Sequence, residues 1–143
     1  MSATILKRDD LVYPELSFKL VGYAFEVFNE LGYGHHEKHY QKAFAILLKQ
    51  NNHIFEEQKY YNLKFKGEII GKSFLDFEIE DKVVVELKKD ALFSNKRIEQ
   101  VLEYLKESEK KLAILISFSS QGVKSKRLIN FDAIKNDSDN LIR

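Results

Sequence analysis

The stretch Phe74–Lys89, FLDFEIEDKVVVELKK, decides the fold, because it reads as two β-strands folded back on each other. Side chains alternate between the two faces of a strand. In the first strand, one face carries Phe74, Asp76 and Glu78 and the other carries Leu75, Phe77 and Ile79. In the second strand, one face carries Val84, Glu86 and Lys88 and the other carries Val83, Val85 and Leu87. Three consecutive valines predict that the second strand is largely buried. Burying charge is costly unless it is paired, hydrogen-bonded or bound to a metal, so Asp76, Glu86 and Lys88 need a common explanation.

The length of the turn decides whether Asp76 and Glu86 become neighbours. A two-residue turn would pair Asp76 with Val85 and send Glu86 to the far face. A three-residue loop, Glu80–Lys82, pairs Asp76 with Glu86 and brings their Cβ atoms to roughly 5 Å. Two carboxylates at that distance repel each other unless a cation lies between them, and oxygen-only ligation suits Mg²⁺ or Mn²⁺. The sequence therefore predicts a metal site with Lys88 beside it, where a phosphate or an activated water could bind.

Length and composition restrict the class of protein. The 143 residues, 44% hydrophobic and 31% charged, predict one globular domain with a core over about residues 16–131, a lead-in at 1–15 and a polar tail at 132–143. No apolar run is long enough for a membrane span, and residues 1–10 lack a signal-peptide core. The absence of cysteine excludes thiol catalysis and cysteine-based metal sites and fits a cytoplasmic protein. A formal net charge of +1 means that any binding of a polyanion must come from local patches.

The N-terminal part of the chain predicts two helices. Ser17 is the expected N-cap of the first helix and Gly32 its stop, with a core stripe of Phe18, Val21, Phe25, Phe28 and Leu31. The second helix is expected from about His36 to Gln50, with the apolar stripe Tyr40, Ala43, Phe44, Leu47 and Leu48. Glu37 lies three residues before Tyr40, so we expect its side chain to face inward.

The rest of the chain predicts strands around one more helix. Residues 54–65 read as a strand, and turns are expected at 66–68 and at 71–72 before the central hairpin. A helix over 95–110, with Ile98, Val101, Leu102 and Leu105 inward, leads to a buried strand at 112–118. A right-handed crossover would set that strand parallel to a hairpin strand. Residues 122–127 are expected to form a basic loop and 128–131 a last short strand. The fold class is α/β of the α+β type, a mixed central sheet flanked by helices in the order ααβββ(β)αβ.

Two further motifs favour ordinary structural interpretations. Gly67–Ser73, GEIIGKS, differs from a phosphate-binding loop in the spacing of its glycines and in being followed by a strand, so we interpret it as a hairpin turn. Gly34–Tyr40, GHHEKHY, contains His35 and His39 four residues apart, but no third soft ligand is apparent. A solvated helix start is the better interpretation there than a zinc site.

Taken together, these motifs resemble the PD-(D/E)xK nuclease superfamily and, within it, the small stand-alone group called GxxExxY proteins. The naming motif of that group corresponds to Gly34–Tyr40, the hairpin aspartate to Asp76, and the Glu-x-Lys element to Glu86–Lys88. Gln100–Tyr104 is similar to the Gln-x-x-x-Tyr element of the helicase-associated and phage-exonuclease-like branches. The resemblance covers about residues 16–131. One departure is that Leu75, not proline, precedes the aspartate.

The resemblance implies a restriction-endonuclease-like core and hydrolysis of a phosphodiester. Glu37, Asp76 and Glu86, with the Leu87 backbone carbonyl, would hold one or two Mg²⁺ ions, which activate a water and neutralise charge on the phosphate. Lys88 would orient or deprotonate the water, or stabilise the transition state. Gln100 and Tyr104 would position the phosphate or the ligands. The basic residues Lys124, Lys126 and Arg127 are candidates for contacts to the nucleic-acid backbone.

Simpler interpretations remain open for each of these residues. Glu37 can be a first-turn carboxylate favoured by the helix dipole, and the hairpin charges can form a surface ion pair on an edge strand. Gln100, Tyr104 and the basic loop can be solvated surface. The leading hypothesis is a Mg²⁺- or Mn²⁺-dependent nuclease acting on DNA rather than RNA, with a homodimer expected for cutting a duplex. The alternative is a non-catalytic module on the same fold that binds nucleic acid or another protein.

Overall fold

A five-stranded mixed sheet with helices on both faces forms the protein, as seen in a computed structural model that describes residues 12–90 and 92–135. The elements in chain order are α1 (Pro14–Leu31), α2 (Glu37–Gln50), β1 (Phe55–Phe65), β2 (Glu68–Ile79), β3 (Val83–Lys89), α3 (Asn95–Ser108), β4 (Leu112–Ser119) and β5 (Gly122–Ile129). The α+β class and the mixed, helix-flanked sheet are confirmed.

The strands follow the order β1-β2-β3-β4-β5 across the sheet. All neighbours are antiparallel except β3 and β4, which are parallel and joined through α3, as the crossover argument predicts. The prediction of a basic loop over 122–127 is wrong, because β5 occupies that segment and the observed order is ααβββαββ. Gly122, whose φ is 110°, pairs with Ser119 and closes the tight turn between β4 and β5.

The two faces of the sheet are covered by different helices. Helices α1 and α2 cover what we call the two-helix face, where Phe77, Val85 and Ile114 are buried. Helix α3 covers the opposite, α3 face. On that side the buried core residues are Leu75, Val84, Val101, Tyr104, Leu105, Ala113, Leu115 and Leu128. Burial of the central strands on both faces accounts for the run of three valines, Val83–Val85.

Helix α1 begins earlier and buries a different stripe from the one predicted. It starts at Pro14, which fits the first turn of a helix, and its cap residue is Tyr13, so Ser17 is not the N-cap but a buried residue within the helix. Phe18 and Phe25 are 83% and 47% exposed. The buried positions are Ser17, Leu20, Ala24 and Val27. Gly32 ends the helix as predicted.

Helix α2 follows its prediction closely. Tyr40, Phe44 and Leu48 are fully buried, and the Tyr40 ring stacks on Phe118 of β4 at 4.4 Å between centroids. The Tyr40 hydroxyl donates a hydrogen bond to the Gly32 carbonyl at 2.7 Å. That bond joins the end of α1 to the start of α2 and fixes the turn between them.

Two other boundaries differ from prediction. β2 runs unbroken over 12 residues from Glu68, so the second turn expected at residues 71–72 is wrong and Gly71 pairs with Leu63 inside the β-ladder. The tail expected from residue 132 begins as helix over 131–135, with Ile134 packed on the two-helix core; the rest of it lies outside the described residues. None of the helices in the described ranges has both the length and the hydropathy to cross a bilayer.

Candidate active site

The central hairpin has the register that makes Asp76 and Glu86 neighbours. Ile79 pairs with Val83, which closes a three-residue loop, Glu80–Lys82, as predicted. Glu80 and Asp81 in that loop adopt left-handed φ values of 57° and 53°.

Asp76 and Glu86 are interlocked through the backbone. The Asp76 N–H donates to Glu86 Oε2 at 2.6 Å, and the Leu87 N–H donates to Asp76 Oδ2 at 2.8 Å. Each carboxylate therefore holds a backbone amide on the opposite strand, and the two side chains are fixed by the strands that they join.

The interlock occurs where the ladder between β2 and β3 stops. The last pair towards the site is Phe77 with Val85. Beyond it, Leu75 packs on the α3 face although Phe77 packs on the two-helix face, so the prediction that Leu75 and Phe77 share one face is wrong. Gln58, opposite Asp76 in β1, has a left-handed φ of 52°. The interruption releases backbone N–H groups from the ladder, and the two carboxylates satisfy them.

Both carboxylic acids of this pair have pKa values above their usual range, because they are buried and lie near other carboxylates. Desolvation, with the neighbouring charge of Glu86, raises the pKa of Asp76 to about 7, although the Leu87 N–H opposes the shift. Burial also raises the pKa of Glu86, against the effect of Arg97. Glu37 raises the pKa of both groups and so lies within electrostatic reach of them. A positive charge beside the pair would reduce the repulsion between the carboxylates and lower their pKa values.

Arg97 of α3 supplies that charge, and sequence reasoning missed it. Its Nε donates to Glu86 Oε1 at 2.7 Å, and Nη2 binds the same oxygen. Nη1 donates to Tyr61, Ser73 and Gln100. The signal that could have found Arg97 is its position three residues before Gln100, on the same helix edge. The guanidinium thereby joins α3 to β1, β2 and β3.

Lys88 is the penultimate residue of β3, and the side chain of Glu37, the first residue of α2, reaches the same end of that strand. Glu37 is exposed rather than turned inward, and its Oε1 accepts the Lys89 N–H at 3.0 Å. Lys88 is half-buried, next to Ser117 in the register with β4, and follows Glu86 at the spacing that keeps both on one face. Within residues 12–90 and 92–135 the Lys88 ammonium has no hydrogen-bond or ion-pair partner.

Gln100 and Tyr104 have different surroundings. Gln100 Oε1 accepts a hydrogen bond of 3.4 Å from Arg97, which connects it to the carboxylate pair. Tyr104, which the simpler interpretation placed on the helix surface, is buried, and its hydroxyl donates to Glu78, which also binds Lys59. Burial and the bond to Glu78 raise the pKa of Tyr104. Both residues line a cleft of about 320 Å³ between α3 and the β1–β2 hairpin.

The three predicted basic residues lie on β5 and are divided between its faces. Lys126 pairs with Leu115, which pairs with Glu86, and Lys124 pairs with Ser117, which pairs with Lys88. These two exposed lysines are therefore on the α3 face, two strands or roughly 10 Å from the site. Arg127 pairs with Ile114 and lies on the opposite face.

The donor chemistry fits a hard divalent cation, but three ligands are not assembled. No group of three or more His, Asp or Glu side chains able to hold a metal ion occurs in the described part of the chain. The predicted set is incomplete because Glu37 binds the Lys89 amide and Glu86 binds Arg97. Asp76 Oδ1, by contrast, accepts no hydrogen bond from the described residues, and two adjacent carboxylates with raised pKa values are suited to Mg²⁺ or Mn²⁺.

Comparisons with known proteins identify the family of the chain. The family model of the PD-(D/E)XK nuclease superfamily matches residues 14–138. Among solved structures, the crystal structure of SSO0001 aligns with 71% of the chain at 17% identity and a TM-score of 0.49, and the alignment spans 56% of that protein's length. No curated protein matches the sequence. On the family match, which extends over most of its length, the chain belongs to the PD-(D/E)XK nuclease superfamily.

Proposed function

We propose that this protein is a metal-dependent nuclease of the GxxExxY group that hydrolyses phosphodiesters of nucleic acid, DNA rather than RNA. The observation that carries the proposal is the interlock of Asp76 and Glu86 where β2 and β3 separate, followed on the same strand by Lys88, which has no partner among the described residues. Buried acids that repel each other destabilise a fold unless they serve a ligand. The absence of cysteine favours a cytoplasmic location, and a homodimer would allow both strands of a duplex to be cut.

Asp76 and Glu86 would hold Mg²⁺ together with the Leu87 carbonyl, and Glu37 would join them from α2. The cation, once bound, lowers the pKa of an attacking water and neutralises charge on the phosphate. To offer Oε1 to the cation, Glu86 would release Arg97, since the guanidinium covers that oxygen. Arg97 is then available to a phosphate oxygen, and Gln100, already bonded to it, holds it close to the site.

Lys88 would act on the reacting atoms. Its ammonium orients the water or stabilises the charge of the pentavalent phosphate. The lack of a partner within the described residues supports this role, because a purely structural lysine on a half-buried strand would be expected in an ion pair. Lys124 and Lys126 would bind backbone phosphates on the same face, whereas Arg127 on the other face takes no part.

A non-catalytic module on the same fold is the second candidate. The ion pair between Arg97 and Glu86 favours it, because a permanent internal counter-ion makes a metal unnecessary. Such a module would bind nucleic acid or protein and would be indifferent to divalent cations.

Titration calorimetry with Mn²⁺ separates the two candidates. We expect the wild type to bind Mn²⁺ and the double variant Asp76→Ala/Glu86→Ala not to bind it. With Mg²⁺ or Mn²⁺ present, the wild type should cleave labelled DNA, and EDTA should stop the reaction. RNA oligonucleotides of the same length and sequence test the preference for DNA.

The variant Lys88→Gln tests the catalytic lysine separately. It should retain Mn²⁺ binding while cleavage falls by about 10²-fold or more, the loss expected when a group that stabilises the transition state is removed. Lys42→Gln, at an exposed position of α2, is the matched control and should cleave like the wild type. A wild type that neither binds Mn²⁺ nor cleaves any substrate would favour the non-catalytic module.

A further inference from the structure

The β1–β2 hairpin extends beyond the part of the sheet that β3 accompanies and exposes a pair of aromatic rings. Tyr60 and Phe74 are cross-strand partners, and their side chains are 59% and 48% exposed. Their rings meet edge to face, with centroids 5.3 Å apart. The Lys72 ammonium lies over the Tyr60 ring at 5.0 Å from its centroid. We call Tyr60, Lys72 and Phe74 the aromatic platform.

The rings of Tyr60 and Phe74 take no part in the packing of either core cluster in the described residues. Ser73 and Leu75, the neighbours of Phe74 in β2, contact Arg97 and the α3 core respectively, so the platform is on the side turned away from α3. A cluster of exposed aromatic rings on a soluble protein is typical of a binding surface.

The charge of the hairpin indicates what binds there. Residues 60–74 contain Lys64, Lys66 and Lys72 but one acid, Glu68, in a chain whose formal net charge is only +1. Aromatic rings combined with lysines fit single-stranded nucleic acid, because bases stack on the rings and phosphates bind the ammonium groups. A second copy of the chain is a poor occupant of this surface, since it would place the lysines of two hairpins against each other.

The platform is close to the candidate active site along β2, although its rings face away from α3. Phe74 precedes Asp76 by two residues, or roughly 7 Å along an extended strand. The Phe74 carbonyl accepts a hydrogen bond of 2.5 Å from Arg97 Nη2, and Arg97 binds Glu86. A base stacked on Phe74 would therefore lie within about one or two nucleotides of a phosphate at the carboxylate pair.

We propose that the aromatic platform binds unpaired bases and delivers a single strand, or a frayed end of a duplex, to the carboxylate pair. This inference rests on the proposed nuclease function and specifies its substrate class. A base-paired duplex does not offer the faces of its bases, so it binds the platform more weakly than a single strand of the same length.

Fluorescence tests the platform directly, because the chain contains no tryptophan. The variant Tyr60→Trp places one indole on the platform without removing the ring. Titration with a 12-nucleotide oligothymidylate in EDTA, where cleavage cannot occur, should quench its emission. Phe18→Trp is the matched control, since Phe18 is 83% exposed on α1, and its emission should not change. Tyr60→Ala should weaken binding of the same oligonucleotide by about tenfold, measured by fluorescence anisotropy.

The results separate the platform from the nuclease function. Asp76→Ala in the Tyr60→Trp background should lose cleavage and keep the quenching. A protein that cleaves DNA with Mn²⁺ but shows no quenching at position 60 overturns the platform and leaves the nuclease function intact. The platform is also overturned if the protein binds a hairpin duplex more tightly than the single strand. The same holds if the only effect of Tyr60→Ala is the loss of a dimer in gel filtration.

Discussion

Arg97 on α3 and Glu86 on β3 form an ion pair in which a helix side chain neutralises a carboxylate that is only 4% exposed. The same guanidinium donates to the Phe74 carbonyl and to Ser73. The pair therefore stabilises the metal-free site and the position of α3 at once, and it competes with a cation for Glu86.

Replacing Arg97 by glutamine should separate those two effects. Without metal, Glu86 is left buried and unpaired, and we expect unfolding to require about 3 kcal/mol less than in the wild type. Mn²⁺ should raise the melting temperature of Arg97→Gln more than that of the wild type, because no internal cation competes for the carboxylate. Thermal unfolding with and without Mn²⁺ measures both changes, and Lys96→Gln, at the exposed neighbouring position, is the control. Equal Mn²⁺ stabilisation of Arg97→Gln and wild type would contradict the competition.

The raised pKa of Asp76 predicts an unusual dependence of stability on pH. The folded protein keeps a proton on Asp76 up to a pKa of about 7, whereas the unfolded chain loses it near 3.8. The stabilisation of the fold that protonated Asp76 provides is therefore fully present below about pH 4 and is lost as the pH rises to about 7. Asp76→Asn does not titrate, so its stability relative to the wild type should increase by about 1 kcal/mol or more between pH 4 and pH 8. Urea unfolding of both proteins at these two pH values measures the difference, and parallel pH profiles would contradict the raised pKa.

The stabilisation of the protein by a bound metal should depend on pH in the opposite direction. Carboxylates bind a divalent cation in their deprotonated form, so stabilisation of the wild type by Mn²⁺ should grow as the pH passes 7. Thermal unfolding at fixed Mn²⁺ concentration between pH 6 and pH 8 would show this trend, and Asp76→Asn should lack it.

Tyr104 should prove important for stability rather than for metal binding. Removing its hydroxyl in Tyr104→Phe leaves Glu78, which is 3% exposed, with one hydrogen bond fewer. We expect a loss of about 1–3 kcal/mol in the free energy of unfolding and unchanged Mn²⁺ binding. Tyr60→Phe is the matched control, because its exposed hydroxyl has no hydrogen-bond partner in the described residues. Weaker Mn²⁺ binding by Tyr104→Phe would instead support the role that its motif implies at the site.

The turn between β1 and β2 offers a stabilising substitution. Lys66 and Gly67 have φ values of 49° and 82°, so both central residues of this two-residue turn are left-handed. Asparagine tolerates that conformation better than lysine, and Asn-Gly is the preferred pair for such turns. Lys66→Asn should raise the free energy of unfolding by about 0.5 kcal/mol, measured by urea unfolding. Lys64→Asn, within the strand, should not be stabilising.

The sequence was sufficient to predict the hairpin register and the parallel crossover, for physical reasons. Only the three-residue loop makes neighbours of the two carboxylates, and a helix between two buried strands has one favoured handedness. The buried face of α2 was equally predictable, because Tyr40, Phe44 and Leu48 repeat at the helical period. Local pattern and tertiary packing agree in these elements.

Where prediction failed, packing partners distant in sequence decide the outcome. The aromatic stripe of Phe18 and Phe25 is apolar enough to be a core, yet α1 turns Leu20 and Ala24 inward instead. The spacing of Arg97 and Gln100 places Arg97 on the helix edge near the site, but it does not indicate that Arg97 binds Glu86, since an arginine in the first turn of a helix is ordinarily solvated. Tyr104 can be buried because Glu78, far away in the chain, accepts a hydrogen bond from its hydroxyl.

The candidate site takes Glu37 from one helical layer and Arg97 from the other, and the chain order has a consequence for biosynthesis. The acids emerge from the ribosome before the arginine that neutralises Glu86, and β4, the parallel neighbour of β3, emerges later still. An incomplete nascent chain therefore carries the acids without the sheet and the counter-ion that hold them in place. We therefore expect the carboxylate pair to reach the arrangement described here only in chains whose translation has passed β4.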